Sequence, residues 1–210
     1  NEGGANNSLY WNNADGTFTK EISGIIVNDG GDSFGSSVAD IDNDGDFDAY
    51  IMGNSVGNRF YINDGAGSFT FQSALTVLGE TVIGSRGSAF ADYDNDGFVD
   101  LLSVQTNASP AGWYLFRNNG NGTFTKQLTQ SFKQGSALVG ASFGDYDNDG
   151  FQDIVSASFG QDYNGLYKNK GNGNNWLQVK LRGTVSNRSA IGAKVSVKAG
   201  GFWRHNQVLT

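Results

Sequence analysis

The sequence Asp40-Ile-Asp42-Asn-Asp44-Gly45-Asp-Phe-Asp48 occurs, with small changes, three times in the chain. The second copy runs from Asp92 to Asp100 and the third from Asp145 to Asp153, so successive copies start 52 and 53 residues apart. Every copy has aspartate at positions 1, 3, 5 and 9 and glycine at position 6. An ordinary turn needs only one Asp or Asn and one Gly. The recurrence of all four carboxylates therefore favours a dedicated metal site over a solvated turn.

The spacing of the carboxylates predicts the metal. Four carboxylates in one short loop repel each other unless a cation lies among them. Ca²⁺ accepts about six to eight hard oxygen ligands in flexible geometry, and the backbone carbonyl at position 7 can add one of them. We therefore predict three Ca²⁺ sites, in loop 1 (40–48), loop 2 (92–100) and loop 3 (145–153). The predicted ligands are the side chains of Asp40, Asp42, Asp44, Asp48, Asp92, Asp94, Asp96, Asp100, Asp145, Asp147, Asp149 and Asp153 and the backbone carbonyls of Asp46, Phe98 and Phe151.

The residues after each loop exclude an EF-hand. An EF-hand has a bidentate Glu at position 12 and continues into a helix, whereas position 12 here is Ile51, Ser103 or Ser156. A short apolar run follows each loop, partly β-branched or aromatic, and predicts a strand.

A second repeated unit follows each loop and predicts a hairpin. Each copy has an aromatic or aliphatic entry, an Asn/Asp/Gly turn and an aromatic exit, which is a strong hairpin signal. The four entries are Leu9-Tyr-Trp-Asn12, Phe60-Tyr-Ile-Asn63, Leu115-Phe-Arg-Asn118 and Leu166-Tyr-Lys-Asn169. A glycine also stands five residues before each loop, at Gly35, Gly87 and Gly140. The repeat thus predicts an all-β fold of four-stranded antiparallel sheets, each about fifty residues long and sized as a β-propeller blade.

The loops and hairpins together resemble the FG-GAP/VCBS repeats of integrin-type propellers over about residues 8 to 172. The resemblance implies that the twelve aspartates at loop positions 1, 3, 5 and 9 bind Ca²⁺. The Phe-Gly pair of that family occurs once, at Phe34-Gly35, and is replaced by Arg86-Gly87 and Val139-Gly140. This departure affects packing and not the metal.

The repeats also predict the domain organisation. Residues 1–175 form the repeat region, with a partial blade at 1–22 and blades at about 33–72, 85–127 and 135–175. The tail, 176–210, has no acidic loop and alternates apolar with basic residues. It resembles the opening of the ASPIC/UnbV module, truncated at Thr210.

Composition bounds the function. The formal charge is −7, and three bound Ca²⁺ ions would bring it to −1, so we expect no nucleic-acid partner. There is no cysteine, which leaves no thiolate chemistry and no disulfide. No stretch has the ~18 apolar residues of a membrane span. Loops of this kind fill where Ca²⁺ is millimolar, so we expect an extracellular, secreted or cell-surface location. Because the chain starts at Asn1, we expect a mature or excised segment.

Catalysis is not expected. The only histidine, His205, lies in the tail, and the obvious carboxylate pairs are assigned to metal. Two tryptophans outside the repeat, Trp113 and Trp203, are the candidates for an exposed glycan-binding surface.

The number of repeats bears on partners. Propellers close with about four to eight blades, and three and a half repeats would leave sheet edges exposed. The chain is thus a partial or open propeller, completed by a longer chain or by other copies in a head-to-tail assembly such as a filament. We expect an adhesion, scaffold or assembly module whose partners are extracellular proteins or copies of itself. The alternatives are a lectin-like carbohydrate binder and the non-catalytic part of a larger secreted enzyme.

Overall fold

The computed structural model describes residues 6–54, 57–73, 77–78, 84–106, 112–127, 130–131, 137–159, 164–185 and 187–208. Residues 1–5 of the predicted partial blade, and the segments between these ranges in the predicted blades and tail, lie outside the described residues. The described chain is nearly all-β, with several small antiparallel sheets, one four-residue helix and two further helical residues at 77–78. These sheets do not close into a ring within the described ranges.

The first elements form a hairpin and a helical turn. Strands β1 (Tyr10–Asn12) and β2 (Phe18–Lys20) pair in register, with Asn12 opposite Phe18. Helix α1 (Ile25–Asn28) follows and buries Ile26 and Val27.

The first complete repeat forms sheet 1. Its strands β3 (Ser33–Ala39), β4 (Asp48–Gly53), β5 (Arg59–Asn63) and β6 (Phe69–Ser73) are adjacent in chain order. This matches the predicted order of strand, acidic loop, strand, strand, tight turn and strand.

The second repeat forms sheet 2. Strands β7 (Ser85–Ala91), β8 (Asp100–Gln105), β9 (Gly112–Asn118) and β10 (Phe124–Lys126) repeat the order of sheet 1. A two-residue strand, β11 (Gln130–Ser131), also pairs with the start of β9.

The third repeat departs from the predicted four strands. Sheet 3 contains β12 (Ala137–Gly144), β13 (Asp153–Phe159) and β14 (Gly165–Tyr167), and the described residues show no fourth strand. The predicted aromatic exit, Trp176, stands seven residues after Asn169, whereas Phe69 and Phe124 stand six residues after their asparagines. The Asn172 and Asn174 amides donate to the carbonyl oxygen of Asp94 at 2.6 and 2.9 Å. These bonds lead the chain away from β14.

In the tail, the described strands are a single hairpin. Strands β15 (Lys194–Ala199) and β16 (Phe202–Gln207) pair over their whole length. The described part of 168–193 has no strand.

The first strand of each sheet carries a bulge beside its glycine. The pairing register shifts between Ser33 and Gly35 and between Ser85 and Gly87, and similarly before Gly140. The skipped residues are Phe34, Arg86 and Val139, the position at which the repeats differ from the Phe-Gly pair. The Arg86 guanidinium lies over the Phe34 ring, 4.9 Å from its centroid. The residue that differs between the repeats therefore lies in a β-bulge, where it has no partner in the strand pairing.

The core lies between consecutive sheets. Tyr50 and Phe60 of sheet 1 are fully buried in one cluster with Leu101 and Phe116 of sheet 2. A second cluster joins Leu102 of sheet 2 to Ile154 of sheet 3. A third places α1 against sheet 1, with Leu9 before β1 packed on it. Face-to-face packing of successive repeats is the arrangement typical of blades.

The first strands of successive sheets lie side by side. The Ser37 hydroxyl of β3 is 2.7 Å from the Ser88 hydroxyl of β7 and donates to its carbonyl at 3.0 Å. The small serine side chains at these positions permit this approach. No helix among the described residues has the length and hydropathy needed to span a bilayer.

Candidate metal centres

The three acidic loops occupy the same place in their sheets. Each connects the first strand to the second, so that position 1 follows β3, β7 or β12 and position 9 is the first residue of β4, β8 or β13. Strand pairing next to the loop fixes both ends, since Ala39 pairs with Asp48 and Ala91 with Asp100. The loops are therefore short connections held by a ladder.

The structure brings three carboxylates of each loop together. One oxygen from each member of the group lies within 4.8 Å of the others. The groups are Asp40, Asp42 and Asp48; Asp92, Asp94 and Asp96; and Asp145, Asp147 and Asp153. Asp44, Asp100 and Asp149, which the sequence also predicts as ligands, lie outside these groups.

The position 1 carboxylate organises the turn. Both oxygens of Asp40 accept hydrogen bonds at 3.0 Å, from the backbone N–H groups of Asp44 and Gly45. Asp92 and Asp145 accept the same pair of bonds at 2.8 to 3.0 Å. The same hydrogen bonds thus fold all three loops.

The position 9 carboxylate joins the loop to the hairpin that follows. Asp100 is fully buried and accepts one bond from the Tyr93 N–H at 3.0 Å and one from the Asn118 N–H at 2.8 Å. Asp48 and Asp153 repeat this pattern with Asn63 and Asn169. Each carboxylate thus fixes the loop relative to its hairpin.

The backbone of each loop needs special residues at two positions. The asparagine at position 4 has a φ of 62° at Asn43, 56° at Asn95 and 60° at Asn148. The glycine at position 6 of each loop also has a positive φ. Asparagine tolerates this left-handed region better than most residues, and glycine adopts it freely. This explains why Asn and Gly recur beside the aspartates.

Without a bound cation, burial makes these carboxylates reluctant to ionise. Burial raises the pKa of Asp48 to about 7, that of Asp92 to about 6 and that of Asp100 to about 8, and nearby loop aspartates add to the effect. Hydrogen bonds from backbone N–H groups oppose the shift. Negative charge confined in this way is what a divalent cation would neutralise.

The donor atoms fit Ca²⁺. They are hard oxygens in one short loop, and the carboxylate groupings hold no nitrogen or sulfur ligand. Hard oxygen donors suit Ca²⁺ or Mg²⁺, whereas zinc favours nitrogen and sulfur. The predicted position 7 carbonyl belongs to a residue whose N–H donates to position 5, as Phe98 does to Asp96 at 2.9 Å.

Basic side chains lie against the loops as well. Arg117 of β9 bonds Asp94 at 2.7 Å and Asp96 at 2.5 Å. Lys168 bonds Asp147 and lies 3.2 Å from Asp149. In sheet 1 the equivalent residue is Ile62, and Lys194 of the tail lies 3.6 Å from Asp46 instead.

The sequence analysis missed the basic side chains that contact the loops and the bonds from the hairpin asparagines to the position 9 carboxylates. Arg117, Lys168 and Ile62 share one position before the hairpin asparagine, and that alignment could have drawn attention to them. No local pattern could reveal Lys194, because it contacts a loop that lies about 150 residues earlier in the chain.

The tail hairpin packs on loops 1 and 2. The Lys194 ammonium donates to the carbonyl of Gly45 at 3.0 Å, and Arg204 donates to that of Asp96 at 3.3 Å. Arg204 also lies over the Phe98 ring, 4.3 Å from its centroid. A small cleft of about 60 Å³ separates loop 1 from the hairpin and is lined by Asp40 and His205 among others.

The two candidate glycan-binding tryptophans differ. Trp113 is 5% exposed, lies in the core between sheets 2 and 3 and contacts Tyr167 edge to face, so the prediction that it is exposed is wrong. Its position in β9 faces the next sheet, which the repeat alignment did not reveal. Trp203 is 51% exposed and stacks on His205.

Comparison with known proteins places these features in a family. The chain matches the FG-GAP-like repeat over residues 2–51, 48–103 and 92–156. It is 29% identical over 212 residues to cartilage acidic protein 1 of Mus musculus, covering 93% of this chain and 32% of that protein. It is 28% identical over 115 residues to cartilage acidic protein 1 of Xenopus tropicalis, covering 55% of this chain and 18% of that protein. The chain thus spans about a third or less of the length of these curated relatives. Three consecutive matches, each containing an acidic loop, show that the chain belongs to the FG-GAP-like repeat family.

Proposed function

We propose that this chain is an extracellular, calcium-stabilised repeat module of β-propeller type that serves adhesion, scaffolding or assembly. The observation that carries the proposal is the recurrence of one carboxylate cluster at the same place in three successive sheets. The same backbone hydrogen bonds surround each cluster. A solvated turn would not need three buried carboxylates at position 9.

The proposed role of calcium is structural. The loop aspartates and the position 7 carbonyls would hold the ion, and the ion would supply positive charge and oxygen coordination. Each loop joins the first two strands of its sheet, so ordering the loop stabilises that strand pair. The family match supports this assignment, since the three matched segments contain all three loops.

A non-catalytic role fits the surroundings of the titratable groups. The carboxylate clusters are engaged with backbone N–H groups, and Arg117 or Lys168 lies against two of them. The partly buried His205 ring is 2.8 Å from the Ser196 hydroxyl and stacks on Trp203.

The proposed extracellular location rests on two supports. Ca²⁺ sites in extracellular modules are weak, with dissociation constants of about 10⁻⁴ to 10⁻³ M, and suit millimolar calcium. The relatives are named for cartilage. The likeness of the repeats to VCBS repeats, the likeness of residues 176–210 to an ASPIC/UnbV module and the domain bounds stay predictions.

Calcium titration tests the metal assignment. Isothermal titration calorimetry of the metal-stripped chain should show three bound Ca²⁺ ions with millimolar or tighter affinity, and Asp44→Asn or Asp147→Asn should each weaken one site. Asp15→Asn is the matched control, because Asp15 is an exposed hairpin aspartate that bonds Thr17 outside the loops. An absence of heat at millimolar Ca²⁺, or equal effects of control and loop variants, would refute the assignment.

The exposed apolar face of sheet 3 supports the proposed role in assembly. Tyr50, Leu102 and Val155 hold the same place, two residues after position 9, yet the first two are fully buried and Val155 is 50% exposed. Leu166 is likewise 59% exposed, whereas its counterpart Phe60 is buried. We propose that a further sheet of the same kind covers this face. Sizing by light scattering with and without chelator tests whether copies of the chain supply this sheet, and a monomer under both conditions would rule out assembly from copies of the chain.

A glycan-binding role is the second candidate, and Trp203 carries it. Its exposed ring lies between Lys198, whose ammonium is 5.4 Å from the ring centroid, and His205. An exposed aromatic ring can stack on a sugar face. A glycan array with the parent chain and Trp203→Ala tests this, and a parent chain without hits would eliminate the candidate.

A further inference from the structure

Neighbouring acidic loops are connected by a side-chain amide at position 4. Asn43 of loop 1 donates to the carbonyl of Gly97 in loop 2 at 3.1 Å. Asn95 of loop 2 donates to the carbonyl of Gly150 in loop 3 at 3.0 Å. The same contact thus occurs at both junctions between successive loops.

A second amide connects the same loops in the opposite direction. Asn118, which follows loop 2 in its own sheet, donates to the carbonyl of Ile41 in loop 1 at 2.8 Å and to that of Val99 at 3.1 Å. Asn169 donates to the carbonyl of Tyr93 in loop 2 at 2.8 Å and to that of Gln152 at 3.2 Å. Each of these asparagines therefore contacts two loops at once.

These contacts act on the peptide units that shape the proposed sites. The Gly97–Phe98 peptide unit is held at its carbonyl by Asn43 and at its N–H by Asp96, at 2.9 Å. Phe98 also supplies the proposed position 7 carbonyl. The Ile41 carbonyl that Asn118 holds directly precedes the ligand Asp42. A change of loop conformation in one sheet therefore moves groups that orient ligands in the next.

Among the described residues, loop 1 and loop 3 each have inter-loop contacts on one side only, because each has only one neighbouring loop. Within the described residues, the hydrogen bonds of the Asn63 amide go to its own loop, at Phe47, and to its own hairpin, at Gly65. The carbonyl of Gly45, equivalent to those of Gly97 and Gly150, accepts from Lys194 of the tail instead. Asn148, at position 4 of loop 3, has the same left-handed backbone as Asn95 and no inter-loop bond among the described residues.

We propose that these asparagines couple neighbouring calcium sites, so that a Ca²⁺ ion in one loop raises the affinity of the next. Asn43 and Asn118 both connect loops 1 and 2, and Asn95 and Asn169 both connect loops 2 and 3. The proposal rests on the proposed calcium function. A metal that orders a loop fixes the carbonyl and amide that its neighbour contacts, and the neighbouring site then needs less ordering before it binds.

Hydrogen–deuterium exchange with mass spectrometry can follow each loop separately. The metal-stripped chain is titrated with Ca²⁺, and the calcium concentration giving half-maximal protection is read for peptides covering 40–48, 92–100 and 145–153. Loop 3 is then disabled with Asp147→Asn, which removes one carboxylate of the loop 3 group and leaves the Phe151 N–H bonded to Asp149 at 3.0 Å.

We expect the midpoint of loop 2 to rise by about fivefold or more when loop 3 is disabled, within the usual range of coupling between sites. In the Asn95→Gly background the same change should raise the midpoint of loop 2 by only about two- to threefold, because Asn169 still connects loops 2 and 3. Asn148→Gly is the matched control, because glycine adopts the left-handed backbone freely at either position and Asn148 contacts no further loop among the described residues. The control should keep the fivefold effect.

The outcomes separate the two proposals. Three loops that gain protection at midpoints unaffected by one another would overturn the coupling and keep the calcium function. Equal loss of coupling in Asn148→Gly and Asn95→Gly would overturn the role of the inter-loop amides. If no loop gains protection at millimolar Ca²⁺, the calcium function fails and the coupling fails with it.

Discussion

Asn118→Ala should destabilise the folded chain well beyond an average substitution. The Asn118 side chain is fully buried and donates to the carbonyls of Ile41 and Val99, while its own oxygen accepts from the Gly120 N–H at 2.9 Å. Alanine makes none of these bonds, and water cannot reach the Ile41 carbonyl easily because Ile41 is itself 2% exposed.

The size of the loss follows from these bonds. A buried polar group left without a partner costs about 1–3 kcal/mol. With two carbonyls affected and the Gly120 N–H able to reach water, we expect a loss of about 3 kcal/mol in the free energy of unfolding. For a chain of this size, that corresponds to a fall of about 6–12 °C in Tm.

Urea unfolding in saturating Ca²⁺, followed by tryptophan fluorescence, measures the change. Asn63→Ala is the matched control. Among the described residues, the Asn63 amide donates to Phe47 and its oxygen accepts from the Gly65 N–H, both at 3.2 Å in partly exposed surroundings. The control should lose about 1 kcal/mol. Equal losses in the two variants would refute the argument that Asn118 is special because it contacts two loops.

Four further predictions concern metal, pH and packing. Asp96→Ala should lower Tm more in Ca²⁺ than in chelator, where it removes only the contacts with Arg117 and the Phe98 N–H; equal losses in both conditions would contradict a structural metal. In the metal-stripped chain, burial raises the pKa of Asp100 from 3.8 to about 8. The free energy of unfolding should therefore be greatest near pH 4 and fall as the pH rises towards 8, because the folded state resists losing this proton. Asp100→Asn should make Tm depend less on pH over this range. Arg59→Ala should cost about 1–3 kcal/mol in urea unfolding, since it leaves the partly buried Asp29 carboxylate, 2.6 Å from the guanidinium, without its charge partner; a loss under about 1 kcal/mol would show that the pair is solvated. Trp113→Ala should lower the free energy of unfolding by about 3–5 kcal/mol, because it opens a cavity between sheets 2 and 3. Trp203→Ala should be nearly neutral in the same assay. Equal losses would contradict the different burial of the two side chains.

The repeat period predicted most of the strands. Aspartates 52 and 53 residues apart located the loops, and the apolar residues on either side located the strands that flank them. These features are local, so that sequence spacing reports them directly. The asparagine-rich turns predicted the hairpins for the same reason.

Other features depend on contacts between distant segments. The fourth strand of sheet 3 is missing among the described residues because the chain after Asn169 bonds to loop 2. The burial of Trp113 depends on sheet 3, which its own repeat does not contain. The structure groups three carboxylates in each loop instead of four, and the one left out stands at position 5 in loops 1 and 3 and at position 9 in loop 2. The four-aspartate pattern is the same in all three loops, so the sequence carries no sign of this difference.

The contacts of the tail hairpin with loops 1 and 2 bear on the order of folding. During synthesis, residues 40–100 leave the ribosome long before Lys194 and Arg204 are made. The hairpin therefore docks on loops that already exist. A force applied at residue 208 should peel the hairpin from these loops while the packed sheets stay intact.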